Sequence, residues 1–442
     1  MRTGKHRIFK RVFLLVLFFA LSGLCLSICS VPFPQYSGQE AADQNEKEEA
    51  RARQELLAGP WSWSLPLGLP DAPELGSRSA VVMDTSTGAL LFSKDPDVEI
   101  PPASLTKLMT IHILLEEIAA GRANLEEVLN PPEASWAENQ PEHSSLMFLH
   151  AGQSLTLREL IMGLAVPSGN DAAVAAALRV SPTMEEFSAL MNREAQKFGL
   201  SRTRFVESSG ISEKNMTTAM EFALFCREYI RLHPETLKEF HSVREFAYPK
   251  AANVGAALKS RPGTIVQYNR NNLLYRFPGT DGLKTGYIDE SGYNIALTAE
   301  REGFRLIAVI LGAPANSTGI RIRDDDGGKL LTWAFENFKT VKPEIAPLEP
   351  APVWKGNLDF VHIAPAGDLA FTTLKNRAEE LSCAAVVKEP LMAPLAAGTE
   401  VGAVIFSDSG GELRRVPLIT TEEIEEGGFF KKLWHNLRLF FR

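Results

Sequence analysis

A serine stands three residues ahead of a lysine in "PPASLTKLMT" (residues 101–110), just after two prolines and at the head of an apolar run. Prolines at a helix entrance, followed by apolar residues at helical spacing, put Ser104 and Lys107 on one face of a first helical turn. A serine hydroxyl becomes a nucleophile when a base takes its proton, and a lysine can be that base if burial or a second cation lowers its pKa. The same string also reads as a capping serine beside a solvated lysine. About two S-x-x-K strings arise by chance in a chain of this length, so the pair alone decides nothing.

Two further strings bear on it. "VPSGNDAA" puts Ser168 and Asn170 in a tight loop between helical segments that end near Ala165 and start near Asp171; loops held by rigid helices often present functional groups, but Ser, Gly and Asn are also ordinary turn residues. "DGLKTGYIDESGYN" places Lys284, Thr285 and Gly286 at one strand end. They offer a cation, a hydroxyl and a position without a side chain where a ligand or second backbone can approach; a polar edge strand with a glycine bulge is the plainer alternative.

In order along the chain, S-x-x-K at 104, S-x-N at 168 and K-T-G at 284 resemble the motif set of penicillin-binding proteins and class A β-lactamases. The chain closely resembles the exported low-molecular-mass penicillin-binding proteins, the D-alanyl-D-alanine carboxypeptidases of serine peptidase family S11. The resemblance runs from about Ser79 to the C-terminus and includes "SSLMFLHAG" (144–152), "NRNNLL" (269–274), "LIAVILGA" (306–313) and "GGFFKKLW" near the end. It implies acyl transfer through a serine ester, with peptidoglycan stem peptides as substrates, β-lactam antibiotics as acylating mimics, and no cofactor or metal.

The same resemblance assigns roles. Ser104 would attack the carbonyl between two terminal D-alanines and Lys107 would take its proton, the Lys107 pKa being lowered by repulsion from Lys284. Ser168 would pass a proton to the leaving amine, and Asn170 would orient Lys107 or the substrate amide. Lys284 and Thr285 would hold the terminal carboxylate, with Gly286 letting the substrate lie along the strand. The backbone N–H groups of Ser104 and Tyr287 would form the oxyanion hole. Arg323 falls where the family places an arginine near the carboxylate; the alternative is a surface arginine paired with Asp324 or Asp325. The sequence departs from the family pattern at Asn215, where a histidine is usual, and at Glu221, where an aspartate is usual; Gly169, where a class A β-lactamase would carry aspartate, counts against that rival. The segment holding Asn215 and Glu221 is read as structural. The competing functions are a DD-endopeptidase and a non-catalytic, membrane-tethered penicillin- or wall-binding protein.

The elements that must position these residues read as an α+β arrangement. "SAVVMDTSTGALLFSKD" is a hairpin of two apolar strands around a Thr-Ser-Thr-Gly turn. Helical segments follow at Leu105–Ala120, Thr156–Leu164, Ala172–Leu178 and Met184–Phe198; strands return at Asn294 and Phe304, and a last helix spans about Leu330–Phe338. The expected fold is a DD-peptidase/β-lactamase-like domain over residues 79–342, an antiparallel sheet with helices on both faces and a helical subdomain. From 343 to 421, short alternating strands with Pro and Gly turns predict a small β-rich domain.

The ends carry address information. Arg2, Lys5, Arg7, Lys10 and Arg11 precede an apolar run from Val12 to about Ile28, the pattern of an export signal, so residues 1–30 read as a signal peptide or anchor, with lipidation at Cys29 a lesser alternative. A Gln-, Glu- and Ala-rich linker fills 31–78. After an acidic stretch from 422, Phe429, Phe430, Leu433, Trp434, Leu437 and Phe441 share one helical face, with Lys431, Lys432, His435, Asn436, Arg438 and Arg442 on the other. This helix of about 21 Å is too short for the roughly 30 Å hydrocarbon core and is predicted to lie in a membrane interface, placing the protein on the outer face of the cytoplasmic membrane or in a periplasm. A net charge of −8 argues against a nucleic-acid partner. No zinc-type Cys or His spacing occurs. Cys226 and Cys383 are both read as buried thiols. The sequence says nothing about oligomeric state.

Overall fold

The computed structural model describes residues 70–254 and 263–440, all within one compact unit. The export signal, Cys29 and most of the linker lie outside the described residues.

The anticipated hairpin is β1 (Ser79–Asp84) and β2 (Leu90–Lys94), paired antiparallel with Ala80 opposite Lys94. After it come helices α1 (Lys107–Ala119), α2 (Leu157–Ala165), α3 (Asn170–Val180), α4 (Met184–Lys197) and α5 (Ala219–Leu232). Three long strands follow, β3 (Thr280–Ile288), β4 (Gly292–Arg301) and β5 (Phe304–Ala313), and then α6 (Gly319–Asn337). The strands form one antiparallel sheet in the order β2-β1-β5-β4-β3.

Period-two alternation explains why this sheet is covered on both sides. Val81 and Met83 of β1, with Ile307, Val309 and Leu311 of β5, join a core with α1 to α5. Their neighbours Ala80, Val82, Leu306, Ala308 and Ile310 face the other way, onto Leu330, Leu331, Trp333 and Ala334 of α6. Every residue of β1 is therefore buried. Helix α1 is enclosed as well: all residues from Lys107 to Leu115 are buried, as expected for a helix apolar nearly all round. Each fully buried Leu, Ile or Met in it contributes about 1.5–3 kcal/mol.

Two differences from the sequence reading concern helices. α5 was not anticipated, although Thr218 caps it by accepting from the Glu221 N–H. α6 begins eleven residues earlier than expected, because tertiary partners make a helix of the polar, glycine-containing "RIRDDDGGK". Asp326 accepts from the Ser77 N–H and hydroxyl at 2.8 and 2.6 Å, and a side chain at Gly327 would stand 2.6 Å from Leu297. The glycine permits the helix to close on the sheet.

Beyond α6, β6 (Phe338–Val341) pairs with β8 (Phe371–Leu374). A four-stranded antiparallel sheet, in the order β7 (Ile363–Pro365), β11 (Gly411–Thr420), β10 (Glu400–Asp408), β9 (Ser382–Val387), makes most of the β-rich part. Its core includes Phe371, Val404, Phe406 and Leu418. Cys226 is buried, but Cys383 is exposed, correcting the sequence reading. It lies on β9, the edge strand, whose residues are almost all exposed.

The chain ends in α7 (Phe429–Phe440). Its polar side meets the β-rich part: Lys431 bonds the Asn357 carbonyl at 3.2 Å and pairs with Asp359 at 2.7 Å, while His435 Nδ1 accepts from the Lys355 N–H at 2.7 Å. Its apolar side faces outward, with Phe430 83% and Trp434 58% exposed. No helix among the described residues is long and apolar enough to cross a membrane.

One buried carboxylate joins the two sheets. Asp84, at the end of β1, accepts from the hydroxyls of Thr340 and Thr372 at 2.5 and 2.6 Å and from Ser86 at 2.8 Å. Asp84→Ala leaves the buried Thr372 hydroxyl and the half-buried Thr340 hydroxyl without this acceptor and is expected to lower the unfolding free energy by about 1–3 kcal/mol. Urea denaturation measures this, and an unchanged midpoint would show that the carboxylate contributes nothing to the junction.

Candidate active site

Ser104 lies in a single 3-10 turn, Ala103–Thr106, that runs directly into α1. Ala103 is held at φ 52°, a conformation sparsely populated by non-glycine residues. Three neighbours fix this turn. Asn294 of β4 donates to the Pro101 carbonyl at 3.0 Å. Gly210 and Gly286 press their backbones against it, and an added Cβ would come within 1.7 Å of the Ala103 oxygen at the first and 2.7 Å of the Pro102 oxygen at the second. The glycine of K-T-G is thus required for β3 to lie beside the serine.

Lys107, the first residue of α1, is fully buried. Its amine donates to Ser104 Oγ at 3.0 Å, to Asn170 Oδ1 at 2.8 Å and to the Ser209 carbonyl at 2.6 Å. Burial is the main cause of a pKa lowered to about 7; Glu207 and Asp171 oppose the shift and Arg270 adds to it. The sequence reading assigned this lowering to Lys284. Burial therefore comes first, and the repulsion between the two amines is mutual: Lys284 is itself held well below its ordinary value by burial first, then by Lys107, Arg270 and Arg323.

Between α2 and α3, Ser168 adopts φ 65° and its buried hydroxyl has no hydrogen-bond partner. Asn170 opens α3 instead of lying in the loop. Asp171, in the first turn of α3, ties this end of the helix to the 147–149 segment: its carboxylate accepts from the N–H groups of Met147, Leu149 and Ala172 at 2.8 to 3.0 Å. Burial nevertheless raises the pKa of Asp171.

These groups open onto a cleft of about 640 Å³, lined by Ser104, Ser168, Asn170, Arg270, Thr285, Gly286, Tyr287 and Arg323 among others. Lys284 is buried beneath it and donates to the Thr285 carbonyl at 3.0 Å. Arg323 is no surface residue, being only 4% exposed, yet it is paired: its Nε and Nη2 both donate to Asp324 Oδ1, and Asp324 Oδ2 accepts from Asn272 at 2.7 Å.

Several residues of the site carried no signal at sequence level. Arg270 lay inside the quoted "NRNNLL" without a role, yet it lines the cleft and its charge acts on both lysines. Glu207 ties up the 207–215 turn by accepting from the N–H groups of Ser209 and Gly210 at 2.6 and 2.7 Å and from Asn215 Nδ2 at 2.8 Å. Asn215 also donates to Thr106 at 3.2 Å, beside the nucleophile turn. Glu221 accepts from the Arg202 N–H and the Thr203 hydroxyl at 2.9 and 2.6 Å. Both departures from the family pattern are therefore internal braces. Among the described residues, the group of three metal-ligating side chains close enough to share an ion lies outside this cleft.

Comparison with known proteins identifies the family. Residues 69–315 match the family model described as D-alanyl-D-alanine carboxypeptidase, and residues 335–426 match the C-terminal domain of penicillin-binding protein 5. The D-alanyl-D-alanine carboxypeptidase DacC of Escherichia coli is 34% identical over 372 residues, 82% of this chain and 88% of that protein. The crystal structure of penicillin binding protein 5 from Haemophilus influenzae superposes with a TM-score of 0.72 at 30% identity, covering 81% of this chain and all of that one. Penicillin-Binding Protein D2 from Listeria monocytogenes, in its cefotaxime-bound form, covers 60% of this chain and all of its own at 28% identity and a TM-score of 0.51. The chain belongs to the D-alanyl-D-alanine carboxypeptidases of serine peptidase family S11, with the C-terminal domain of penicillin-binding protein 5 appended.

Proposed function

We propose that Ser104 is the nucleophile of this carboxypeptidase and Lys107 its base. The observation that carries the reading is the 3.0 Å contact between Lys107 Nζ and Ser104 Oγ, made by an amine whose pKa burial has brought to about 7. A base is most effective when its pKa lies near the working pH. The neutral amine accepts the Ser104 proton as Oγ bonds to the penultimate D-alanine carbonyl. The resulting oxyanion is held by the N–H groups of Ser104 and Tyr287. The C–N bond then breaks as the Ser168 hydroxyl donates a proton to the departing D-alanine nitrogen and takes one back from the Lys107 ammonium; water attacks the ester with Lys107, neutral again, as base, and that proton returns to Ser104 Oγ as the ester bond breaks. Asn170 orients Lys107 through their 2.8 Å bond.

The terminal carboxylate belongs at Thr285, over a floor of Lys284, Arg270 and Arg323; Gly286 leaves room for the peptide beside β3. The substrates are the D-Ala-D-Ala ends of peptidoglycan stem peptides, and β-lactams acylate the same serine because their strained amide occupies the same place. The cefotaxime-bound relative supports that last step. We place the protein outside the cytoplasm, on the outer face of the cytoplasmic membrane, with the exposed apolar side of α7 in the lipid interface. The N-terminal charge and hydropathy pattern supports export. The β-rich part then sets the active site at a height above the bilayer.

Intact-protein mass spectrometry after penicillin treatment, with D-alanine release from a pentapeptide followed in parallel, tests the assignment. An adduct and D-alanine release are expected for the unchanged protein and neither for Ser104→Ala. An adduct surviving in Ser104→Ala would remove Ser104 from its role, and an adduct without release would indicate a binding protein.

The acylation rate is expected to rise with pH through an apparent pKa near 7 as Lys107 loses its proton, and then to level off. Because the Glu207 charge raises the Lys107 pKa, Glu207→Gln is expected to move this limb to lower pH. Stopped-flow acylation across pH measures it; a shift to higher pH, or a flat profile, would contradict Lys107 as the base.

A further inference from the structure

Behind the catalytic end, α1 carries a second polar cluster. His112 and Glu116 are four residues apart and share a helical face. That face meets His233, the residue that ends α5. One ligand atom from each of the three lies within 4.8 Å of the other two. His112 Nδ1 is 3.0 Å from His233 Nε2, and His233 Nε2 is 3.5 Å from Glu116 Oε1. A tetrahedral zinc-type ion, with bonds of about 2.0–2.2 Å, sets its ligand atoms about 3.3–3.6 Å apart. The second edge lies within that range and the first is a few tenths of an ångström short of it.

The surroundings add an independent observation. Ligating imidazoles usually turn their second nitrogen toward a carboxylate or carbonyl, which fixes the ring and its tautomer. Glu194 of α4 stands in that place, with Oε2 3.6 Å from His112 Nε2. His112 Nε2 is buried and makes no hydrogen bond, although His112 is only 1% exposed and packs against the rings of Phe198 and Phe225. The hydrogen bond between the two imidazoles satisfies His112 Nδ1 and His233 Nε2 but leaves buried His112 Nε2 without a partner at hydrogen-bond distance. The Glu116 side chain is 44% exposed, leaving an entry path and a position open to water.

We propose that His112, Glu116 and His233 form a binding site for a divalent transition-metal ion of the zinc class, with Glu194 as the positioning residue behind His112. The His112 proton stays on Nε2, facing Glu194, so that Nδ1 offers its lone pair. The His233 proton moves from Nε2 to Nδ1, so that Nε2 offers the second. A Glu116 oxygen is the third ligand and water the fourth. The ion ties the middle of α1 to the end of α5, behind Lys107 and away from the cleft. It is structural, and the site stands whether or not the roles given to Ser104 and Lys107 hold.

The full chain, prepared without a polyhistidine tag and stripped with a chelator, is titrated with Zn²⁺ and separately with Co²⁺. The expected result is one ion per chain, an intense tetrahedral Co²⁺ spectrum, and an unfolding temperature that rises with Zn²⁺ concentration, since an ion that binds the folded state stabilises it. Glu116→Gln and His233→Gln are expected to abolish the Co²⁺ spectrum, and Glu194→Gln to weaken Zn²⁺ binding about 10- to 100-fold. Circular dichroism and a cooperative metal-free melt establish that each variant is folded. Should His233→Gln fail to fold, the half-exposed Glu116→Gln carries the test. Failure of the unchanged chain to bind Zn²⁺ would overturn the proposal. So would binding that folded Glu116→Gln and His233→Gln leave unaltered.

Discussion

The structure turns on a single buried amine. Lys107 gives up its hydration for three acceptors, the Ser104 hydroxyl, the Asn170 amide oxygen and the Ser209 carbonyl, and burial disfavours its charged form. An amine can be kept there only if the helix that carries it is enclosed. That explains why α1 is buried from its first turn and why the sheet it lies against must be covered on both faces.

Each of the three acceptors comes from a different stretch of chain, and a polar side chain steadies each stretch. Asn294 pins the peptide before Ser104, Asp171 ties the first turn of α3, which carries Asn170, to the 147–149 segment, and Glu207 ties the turn containing Ser209. Two of these braces are anions whose charges also reach Lys107, resisting the loss of its proton, while Arg270 pushes the other way. Hydrogen-bonded braces and charge balance are therefore the same residues. A substitution in the support moves the lysine's pKa as well as the fold, which is the usual coupling between stability and function at such sites.

The β-rich part follows a different logic. Its link to the first sheet combines the Asp84 carboxylate and the two threonine hydroxyls it receives with Phe338 and Leu374, which are buried in the core between that sheet and α6. Its distal end holds α7 through the polar side of the helix, by Lys431 and by His435, whose ring also meets Trp354 edge-on, and the apolar face of that helix turns outward. A terminal helix folded back for its own burial would show the opposite orientation.

The sequence by itself determined what depends on neighbouring residues. The β1–β2 hairpin, the register of the helices around the motifs, the period-two strands and the two-faced C-terminal helix follow from local periodicity, and the ordered triple of motifs follows from residue type and order. Convergence was decided only in three dimensions. Arg270 and Glu207 reach the lysine from segments to which the sequence assigned no chemical role, burial is the main cause of its lowered pKa, polar 319–329 becomes helix because Ser77 and the sheet receive it, and Cys383 is exposed because β9 is an edge. His112 and His233 lie far apart along the chain and meet only because α1 and α5 pack together; proximity of that kind is a property of the packed core, which no local pattern encodes.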